Sequence, residues 1–429
     1  MRKLKAAIIG AASTYTPELI EGFIERQKEL NFQSFYLMDI NREKLQTVGG
    51  LAKRMLASKG FTGEIVLSDD LDQSLDKADY VFSQIRVGGM AARIRDEKIP
   101  LKYGLLGQET TGAGGFMKAL RTIPVMLDIA RRMEKLSPDA WLVNFTNPSG
   151  ILAEALLNHT RVKTIGLCNC FINMSADIAK NLGTTEFDYE YIGLNHLSWI
   201  TSVTLNGENV LKRLGKSTGS TMKNIPDLDY DDELLAALPA IPSSYLSYYY
   251  LREEQLQKCL KAEKTRGEII MELEQSLIEK YNNPNLEEKP KELEERGGAL
   301  YSTAAVSVVE AIENDKNEYH VVNVKNSGTL PFLADDDVIE AKCLVNRSGA
   351  KPAAISTLDN LYMQGLIQAV KAYEKLTVKA AINGSRTDAL AALMVHPLIG
   401  DYHKAKAVLD DMIAANADFL PESLLENRT

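Results

Sequence analysis

The chain has 429 residues, 45% of them hydrophobic, which is enough for two domain-sized units or one large two-lobed α/β body. Its net charge of -9 argues against a nucleic-acid partner, because contacts with a phosphate backbone need clustered positive charge. No stretch approaches the length of a membrane span, so we expect no membrane partner. The four cysteines are too few for a disulfide framework in a chain of this length, which indicates the reducing cytoplasm.

Short apolar runs alternate with helical patterns in the first 170 residues. Strands are predicted at 5–10, 34–39, 63–68, 78–89, 140–148 and 161–170, and helices at 17–28, 42–60, 114–136 and 149–160. Pro17 stands at an early position of the first helix, where proline is favoured. This β-α-β repetition predicts the α/β fold class, with a doubly wound parallel sheet of the Rossmann type.

The carboxyl ends of these predicted strands carry the residues of most chemical interest. Ligands of doubly wound sheets collect at this edge, near the point where the strand order reverses. We therefore expect five segments to meet in one crevice, namely 10–13, Asp39, 85–89, 144–148 and 168–170.

The pattern changes beyond residue 185. The pair Asn206-Gly207 predicts a hairpin turn between strands, and the polar, acidic residues 212–240 read as an excursion. Long helices follow at about 244–263, 266–282, 302–314, 358–382 and 386–416, with a strand that begins near residue 318. The sequence thus predicts a dinucleotide-binding domain over 1–170 and an α+β domain over 171–429 that packs tightly on it and carries substrate, metal and subunit contacts.

The turn after the first strand, within "IIGAASTYTPELI", occupies the place of a dinucleotide-binding loop. Gly10 and Ser13 stand there, but the usual Gly-x-Gly-x-x-Gly is absent, so an ordinary strand-to-helix turn is the alternative interpretation. Asp39 at the end of the second strand favours NAD over NADP, because a carboxylate would repel a 2′-phosphate. The predicted cofactor-binding residues are Gly10, Ser13, Asp39, Arg42, Arg86 and Gly88.

Residues 86–115 are interpreted as a long connection that holds Arg86, Arg93, Arg95 and Glu109 among glycines. Charged side chains that merely face solvent are the common explanation of arginine and glutamate residues among glycines. A loop this long inside a compact sheet is nevertheless usually functional, and arginine side chains are well shaped to hold phosphate oxygens.

Cys168 and His196 each stand at the predicted end of an apolar strand. A buried core cysteine and a merely hydrogen-bonded histidine are the commoner explanation. A thiolate and an imidazole would instead suit Mn, Fe, Co, Ni or Zn, and two protein ligands would leave coordination positions open for substrate oxygens. The tyrosines of "IPSSYLSYYY" include Tyr245, and a phenol acting as a base needs a nearby cation or metal, because it titrates near ~10 in water.

Several motifs together resemble the NAD-dependent glycoside hydrolases of family four, most closely the 6-phospho-β-glucosidases among them. They are "GAAS" with Asp39, "LLGQETTGAGG", "NFTNPSG", "GLCN", "GLNHLSW", "IPSSYLSYYY", "RGGALYS" and "MVHPLIG", in family order from residue 5 to about 420. The resemblance implies a fold related to lactate and malate dehydrogenases, a tightly held NAD and a divalent metal, usually manganese. The segments "CNCFIN" and 332–356 are less typical of the family.

The resemblance also implies roles for single residues. Cys168 and His196 match the metal ligands, Tyr245 the proton-abstracting base, and Asn147 a residue that contacts sugar hydroxyls. Asn169 stands where phospho-α-glucosidases tend to have Asp, which favours β-linked substrates. The predicted substrate-binding residues are Arg95, Glu109, Asn147, Asn169 and Arg296, with Arg95 and Arg296 as candidates for the 6-phosphate.

The implied reaction is the hydrolysis of 6-phospho-β-glucosides, such as cellobiose 6-phosphate or an aryl glycoside, by oxidation, elimination, water addition and reduction. NAD would take hydride from C3, Tyr245 would remove the acidified C2 proton, and the hydride would return at the end. A homodimer or homotetramer is expected. The alternatives are a 6-phospho-α-glucosidase or related family member, a simple NAD-dependent sugar or hydroxy-acid dehydrogenase, and a non-catalytic dinucleotide sensor.

Overall fold

The computed structural model describes residues 2–214, 230–238, 240–296, 301–356 and 358–425. Most of the predicted excursion at 212–240, and residues 297–300 of the "RGGALYS" motif, lie outside the described residues. No helix in these described ranges is both long and apolar enough to cross a membrane.

Six strands alternate with helices in the first part of the chain, and each predicted strand is present. The strands are β1 Leu4–Ile9, β2 Phe32–Met38, β3 Glu64–Ser68, β4 Tyr80–Ser83, β5 Trp141–Asn144 and β6 Lys163–Gly166. The helices are α1 Thr16–Glu25, α2 Arg42–Ser58, α3 Leu71–Leu75, α4 Gly89–Leu101, α5 Gly112–Leu136, α6 Ser149–His159 and α7 Cys170–Leu182.

The six strands form a parallel sheet in the order β3-β2-β1-β4-β5-β6. This order reverses between β1 and β4, which is where doubly wound folds bind their ligands. Ala6, Ala7 and Ile8 of β1 are fully buried, because helices cover both faces of the sheet. The predicted α/β fold class with a doubly wound Rossmann-type sheet is therefore confirmed.

The second part of the chain combines strands and helices. Its strands are β7 Asp188–Leu194, β8 Leu197–Leu205, β9 Glu208–Asn209, β10 Ile241–Pro242, β11 Glu318–Lys325, β12 Val338–Asn346 and β13 Gly349–Pro352. Its helices are α8 Asp232–Ala237, α9 Ser247–Tyr250, α10 Arg252–Lys261, α11 Arg266–Tyr281, α12 Tyr301–Glu313, α13 Leu361–Asn383, α14 Arg386–Val395, α15 Tyr402–Ala415 and α16 Glu422–Leu425. The predicted Asn206-Gly207 turn is present, with positive φ at both residues between β8 and β9.

Strands β11, β12 and β13 extend the first sheet beyond β6, all with antiparallel pairing, to nine strands in total. Strands β12 and β13 were not predicted. Strands β7, β8, β9 and β10 form a separate four-stranded sheet. The division of the chain at residue 170 stays a prediction, although residues from both sides of it share the nine-stranded sheet.

The interpretation of residues 86–115 as one long loop is wrong, because α4 occupies Gly89–Leu101. Gly88 precedes this helix in a left-handed conformation, with φ of 79°. Helix α4 has a mixed composition, with buried Arg93, Asp96 and Glu97, so its sequence lacks the apolar periodicity that marks an amphipathic helix.

Candidate active site

A cleft of about 820 Å³ opens at the carboxyl ends of β1, β2, β4 and β5. Its wall includes most of the residues that the sequence singled out, so the predicted convergence of strand ends is confirmed. The predicted residues that line it are Gly10, Ser13, Asp39, Arg86, Gly88, Glu109, Asn147, Asn169, Tyr245 and Arg296.

One end of the cleft is formed by the β1–α1 turn and Asp39. Gly10 has φ of +89°, and a Cβ there would lie 2.8 Å from the carbonyl oxygen of Gln84, so the turn requires glycine. The Asp39 carboxylate accepts hydrogen bonds from the backbone N–H of Ala12 at 2.9 Å and of Asn41 at 2.9 Å. These bonds fix a negative charge at the carboxyl end of β2, where an adenosine ribose binds in dinucleotide folds.

Arg42, predicted to bind the cofactor, does not line this cleft. Its side chain is exposed at the first position of α2 and pairs with Asp69. Lys44 from the same turn of helix lines the cleft instead, and its ammonium group is 3.2 Å from the Glu274 carboxylate.

His196 is the second residue of a two-residue turn between β7 and β8, where Leu194 pairs with Leu197. Its φ of +64° is rare for a side chain of this size and is enforced by the tight turn. The ring Nδ1 lies 3.0 Å from the Thr110 hydroxyl. Burial and the nearby positive charge of Lys118 lower the pKa of His196 to about 3, so the imidazole is neutral and Nε2 can serve as a ligand atom.

Cys168 is buried two residues beyond β6, and its Sγ accepts a hydrogen bond from the N–H of Cys170 at 3.4 Å. The side chain of Asn195, adjacent to His196, also hydrogen-bonds to this sulfur. Burial and then the negative charge of Glu340 hold the pKa of the Cys168 thiol well above its usual range. A metal ion would therefore have to displace the thiol proton as it binds.

Cys168 and His196 do not line the cleft directly. Asn169, which follows Cys168, lines it, as do Thr110 and Tyr245, which contact His196. In the described ranges no group of three or more His, Cys, Asp or Glu side chains could hold a metal ion. A metal at this pair would have one thiolate and one neutral imidazole, a donor set suited to a first-row divalent ion that takes its remaining ligands from substrate or water.

Tyr245 connects this pair to the cleft. Its ring is stacked on the His196 imidazole, with centroids 3.7 Å apart and 6° between the planes, and it lines the cleft wall. The β10 pairing of Pro242 with Trp199 places Tyr245 beside the β7–β8 turn. The Arg93 guanidinium interacts electrostatically with the phenol, and a neighbouring positive charge favours the ionised form of a phenol.

Three cations surround the buried carboxylate of Glu109. The distances are 2.5 Å to Arg86, 3.0 Å to Arg93 and 2.8 Å to Lys118. Burial alone would raise the pKa of Glu109, but these three positive charges hold it well below its usual range. Burial, and then the positive charge of Arg86, lower the pKa of Lys118 to about 7. The cluster places the guanidinium groups of Arg86 and Arg93 on the cleft wall, where they could donate hydrogen bonds to an anionic ligand.

Arg95 does not line the cleft, whereas Arg93 does. The expectation that Arg95 faces the substrate is corrected on this point, because residues two positions apart on a helix lie on nearly opposite sides. Arg296 does line the cleft. Its guanidinium is 2.7 Å from the Glu274 carboxylate and lies over the ring of Tyr15 at 5.1 Å from the centroid.

The predicted set lacked several residues of the site, among them Arg93, Lys118, Asn195 and Glu340. Lys118 interrupts the apolar pattern of α5, and Glu340 interrupts that of "VIEAKCLV", so a charge within a buried element was the available signal. Asn195 precedes His196 in the tight turn, and asparagine is typical of such turns.

The strand order and the position of the cleft place the protein in the class of dinucleotide-binding α/β enzymes. Residues 5–184 match the model for family 4 glycosyl hydrolases, and residues 191–399 match the model for the C-terminal domain of the same family. The chain therefore belongs to the family 4 glycosyl hydrolases, and the resemblance drawn from its motifs is confirmed.

Two curated relatives span nearly the whole chain. The probable 6-phospho-beta-glucosidase of Bacillus subtilis (strain 168) is 42% identical over 432 residues, with 98% of each protein covered. The 6-phospho-beta-glucosidase of Escherichia coli (strain K12) is 39% identical, with 98% of this chain and 97% of the relative covered.

Solved structures of the Thermotoga maritima 6-phospho-beta glucosidase are also similar. The form with NAD and glucose-6-phosphate has a TM-score of 0.91 and 36% identity, covering 98% of this chain and 99% of that one. The form with manganese, NAD+ and glucose-6-phosphate has a TM-score of 0.89 and 35% identity, covering 97% and 99%. A malate dehydrogenase from Plasmodium falciparum, with a TM-score of 0.52 and 12% identity over 88% of this chain and 99% of that one, is similar in fold alone.

Proposed function

We propose that the protein hydrolyses 6-phospho-β-glucosides with the help of NAD and a divalent metal, manganese in the first instance. One observation supports this proposal most directly. A single cleft is lined at one end by Gly10 and Asp39, where a dinucleotide would bind, and elsewhere by Tyr245, whose ring is stacked on His196. A plain dehydrogenase needs the dinucleotide end but has no use for a Cys-His pair. The names and bound ligands of the similar proteins support the same activity.

The residues present fit both groups. Gly10, Ser13 and Asp39 would hold NAD at the reversal of strand order, and Cys168 with the Nε2 atom of His196 would hold the metal. Once bound, NAD and the metal supply reversible oxidation of the sugar and polarisation of the oxygens on its C2 and C3.

Tyr245 removes the proton from C2 of the sugar in this proposal. The His196 stack fixes the plane of its ring for that role. Asn147 lines the cleft near the strand ends, within reach of sugar hydroxyls.

Arg93 and Arg296 are the arginines of the cleft that we assign to the 6-phosphate, with Glu109 orienting Arg93 at 3.0 Å. Guanidinium groups suit this task because they donate paired hydrogen bonds to phosphate oxygens. Asn169 lies on the cleft wall as a neutral amide. An amide cannot act as the acid that an aspartic acid would provide there, which supports β-linked over α-linked substrates.

The test is to incubate the protein with NAD, manganese and 4-nitrophenyl 6-phospho-β-glucoside, and to follow nitrophenol and NADH separately. We expect nitrophenol release without accumulation of NADH, no release from the glucoside lacking phosphate, and little from the α-anomer. Accumulation of NADH in step with product would favour a dehydrogenase. NAD binding without manganese-stimulated turnover on any phosphorylated glycoside would favour a dinucleotide sensor.

The cellular setting forms part of the proposal. We place the protein in the cytoplasm, since its four cysteines, Cys168, Cys170, Cys259 and Cys343, are all free thiols. We also infer a homodimer or homotetramer, which the exposed Leu361 and Tyr362 at the start of α13 support, because large apolar side chains tend to be covered in assemblies. Residues 1–170 would provide the NAD-binding domain and residues 171–429 the metal, substrate and subunit contacts.

A further inference from the structure

Glu340 is a buried carboxylate on β12 whose partners are all neutral. Its side chain is 1% exposed and accepts hydrogen bonds from the Tyr191 hydroxyl at 2.7 Å, from Asn195 Nδ2 at 2.9 Å and from Asn323 Nδ2 at 3.3 Å. No lysine, arginine or histidine forms an ion pair with it in the five described ranges. Glu109, by contrast, has three cations beside it.

The Asn195 side chain joins Glu340 to Cys168. Its amide nitrogen donates to Glu340 at 2.9 Å, and the same side chain also hydrogen-bonds to Cys168. Its oxygen accepts from the N–H of Gly150 at 3.3 Å, which fixes the orientation of the amide. The Asn195 side chain therefore lies between the Glu340 carboxylate and the Cys168 sulfur, and Glu340 contacts the turn that contains His196.

An isolated buried carboxylate is costly, since it has lost its hydration and no positive charge replaces it. A divalent cation held by one thiolate and one neutral imidazole has the opposite problem, because two positive charges meet only one negative charge. The uncompensated carboxylate and the metal site are close together, since Glu340 acts electrostatically on the Cys168 thiol. A cation bound at Cys168 and His196 would therefore be stabilised by the Glu340 charge and would stabilise that charge in return.

We propose that Glu340 is a positioning residue for the metal site, which orients Cys168 through the Asn195 amide and supplies the negative charge that balances the bound cation. The inference rests on the proposed function in one respect, that a divalent metal binds at Cys168 and His196. Carboxylates behind the direct ligands of a metal commonly change its affinity by about 10-fold to 100-fold.

The test measures manganese binding directly, with no substrate and no turnover. Free Mn2+ is titrated by electron paramagnetic resonance against metal-free wild type and Glu340→Gln, which removes the charge and keeps the size of the side chain. We expect the variant to bind Mn2+ at least ~10-fold more weakly, with NAD binding unchanged. Glu310→Gln is the matched control. Glu310 on α12 is also buried but pairs with Arg26 and Lys316, and the Mn2+ affinity of this variant should equal that of wild type.

Tyr191→Phe separates charge from packing, since it deletes one hydrogen bond to Glu340 and leaves the carboxylate in place. Its Mn2+ affinity should stay within about 3-fold of wild type, and a loss as large as that of Glu340→Gln would overturn the charge-balancing role. Should Glu340→Gln not fold, Asn195→Ala breaks the same link and should also weaken Mn2+ binding at least ~10-fold. If Glu340→Gln or Asn195→Ala binds Mn2+ as tightly as the wild-type protein does, the role of Glu340 is overturned and the proposed function is untouched. If the wild-type protein itself binds no Mn2+, the metal site of the proposed function is overturned as well.

Discussion

The imidazole of His196 and the phenol of Tyr245 lie face to face, with ring centroids 3.7 Å apart and an interplanar angle of 6°. One ring belongs to the proposed metal site and the other to the proposed base. Tyr245→Phe removes the hydroxyl and keeps the aromatic ring that forms this stack. This allows the chemistry of the hydroxyl to be tested without moving the histidine.

Tyr245→Phe is expected to lower kcat on 4-nitrophenyl 6-phospho-β-glucoside by roughly 10²-fold to 10⁴-fold, the usual contribution of a positioned general base. NAD affinity should be unchanged, because the cofactor end of the cleft lies at Gly10 and Asp39. Steady-state rates and a fluorescence titration with NAD measure the two quantities.

Tyr250→Phe is the control for that variant. Tyr250 lies five residues further on, and its hydroxyl accepts a hydrogen bond from Trp199 Nε1 at 2.8 Å outside the cleft wall. Its activity should remain close to wild type. Near-normal kcat in Tyr245→Phe would remove that residue from the mechanism.

Cys168→Ser is expected to raise the manganese concentration needed for half-maximal activity by at least ~10-fold, because an alcohol is a far poorer anionic ligand than a thiol. Cys343→Ser provides the comparison, since Cys343 is also buried and its thiol donates a hydrogen bond to the Ala341 carbonyl oxygen at 3.4 Å. An unchanged manganese response in Cys168→Ser would refute its assignment as a ligand.

The parallel sheet could be predicted from sequence because each of its strands is a short apolar run followed by a helix, as in 5–10 and 161–170. The extension by β12 and β13 could not. Glu340 and Lys342 interrupt the apolar pattern of β12 with charges, and their partners, Asn195 and Asp188, are distant in sequence. The interruption marks both residues as unusual, but the partners that allow their burial could not be found from the local pattern.

Some residues of the site could likewise be predicted from the sequence, and others could not. Strand ends such as Asp39 and Cys168 were found because the fold brings all carboxyl ends to one edge. Arg93 was passed over in favour of Arg95, since the direction of a side chain on α4 depends on a helix that the sequence did not reveal. Which of the two arginines lines the cleft depends on the direction in which each side chain leaves the helix, and this could be seen only in the structure.

Arg296→Gln is expected to raise KM for the phosphorylated substrate by roughly 10-fold to 100-fold, since a hydrogen bond to a charged group contributes about 1.5–3 kcal/mol. NAD affinity should change little, whereas the Tm should fall, because the largely buried Glu274 carboxylate loses its ion pair with Arg296. Arg95→Gln is the matched control, because Arg95 does not line the cleft. A larger KM effect in Arg95→Gln than in Arg296→Gln would contradict the assignment of the phosphate site.

His396 is expected to make the fold sensitive to acid. Burial lowers its pKa to about 3, and Nδ1 accepts a hydrogen bond from the N–H of Leu398 at 3.1 Å. The unfolded chain, with a pKa near ~6.5, binds a proton that the folded state does not, so stability falls as pH falls below that value. The loss from this one group is about 1.4 kcal/mol between pH 7.5 and pH 5.5. In urea unfolding of the metal-free protein, His396→Asn should lose about 1.4 kcal/mol less than wild type over that interval, and equal losses would exclude His396 as the cause.

A substrate labelled with deuterium at C2 tests the role of Tyr245 at the level of the atom it acts on. A proton taken by a phenol in a cleft open to solvent exchanges with water before the product forms. The glucose 6-phosphate released in ordinary water should therefore carry hydrogen at C2, which mass spectrometry detects as the loss of one mass unit. The same glycoside labelled at C5 should keep its deuterium, because no step of the proposed reaction touches that carbon. Retention of the C2 label through cleavage would rule out proton abstraction there, and with it the elimination route, while leaving NAD and metal binding to be explained in another way.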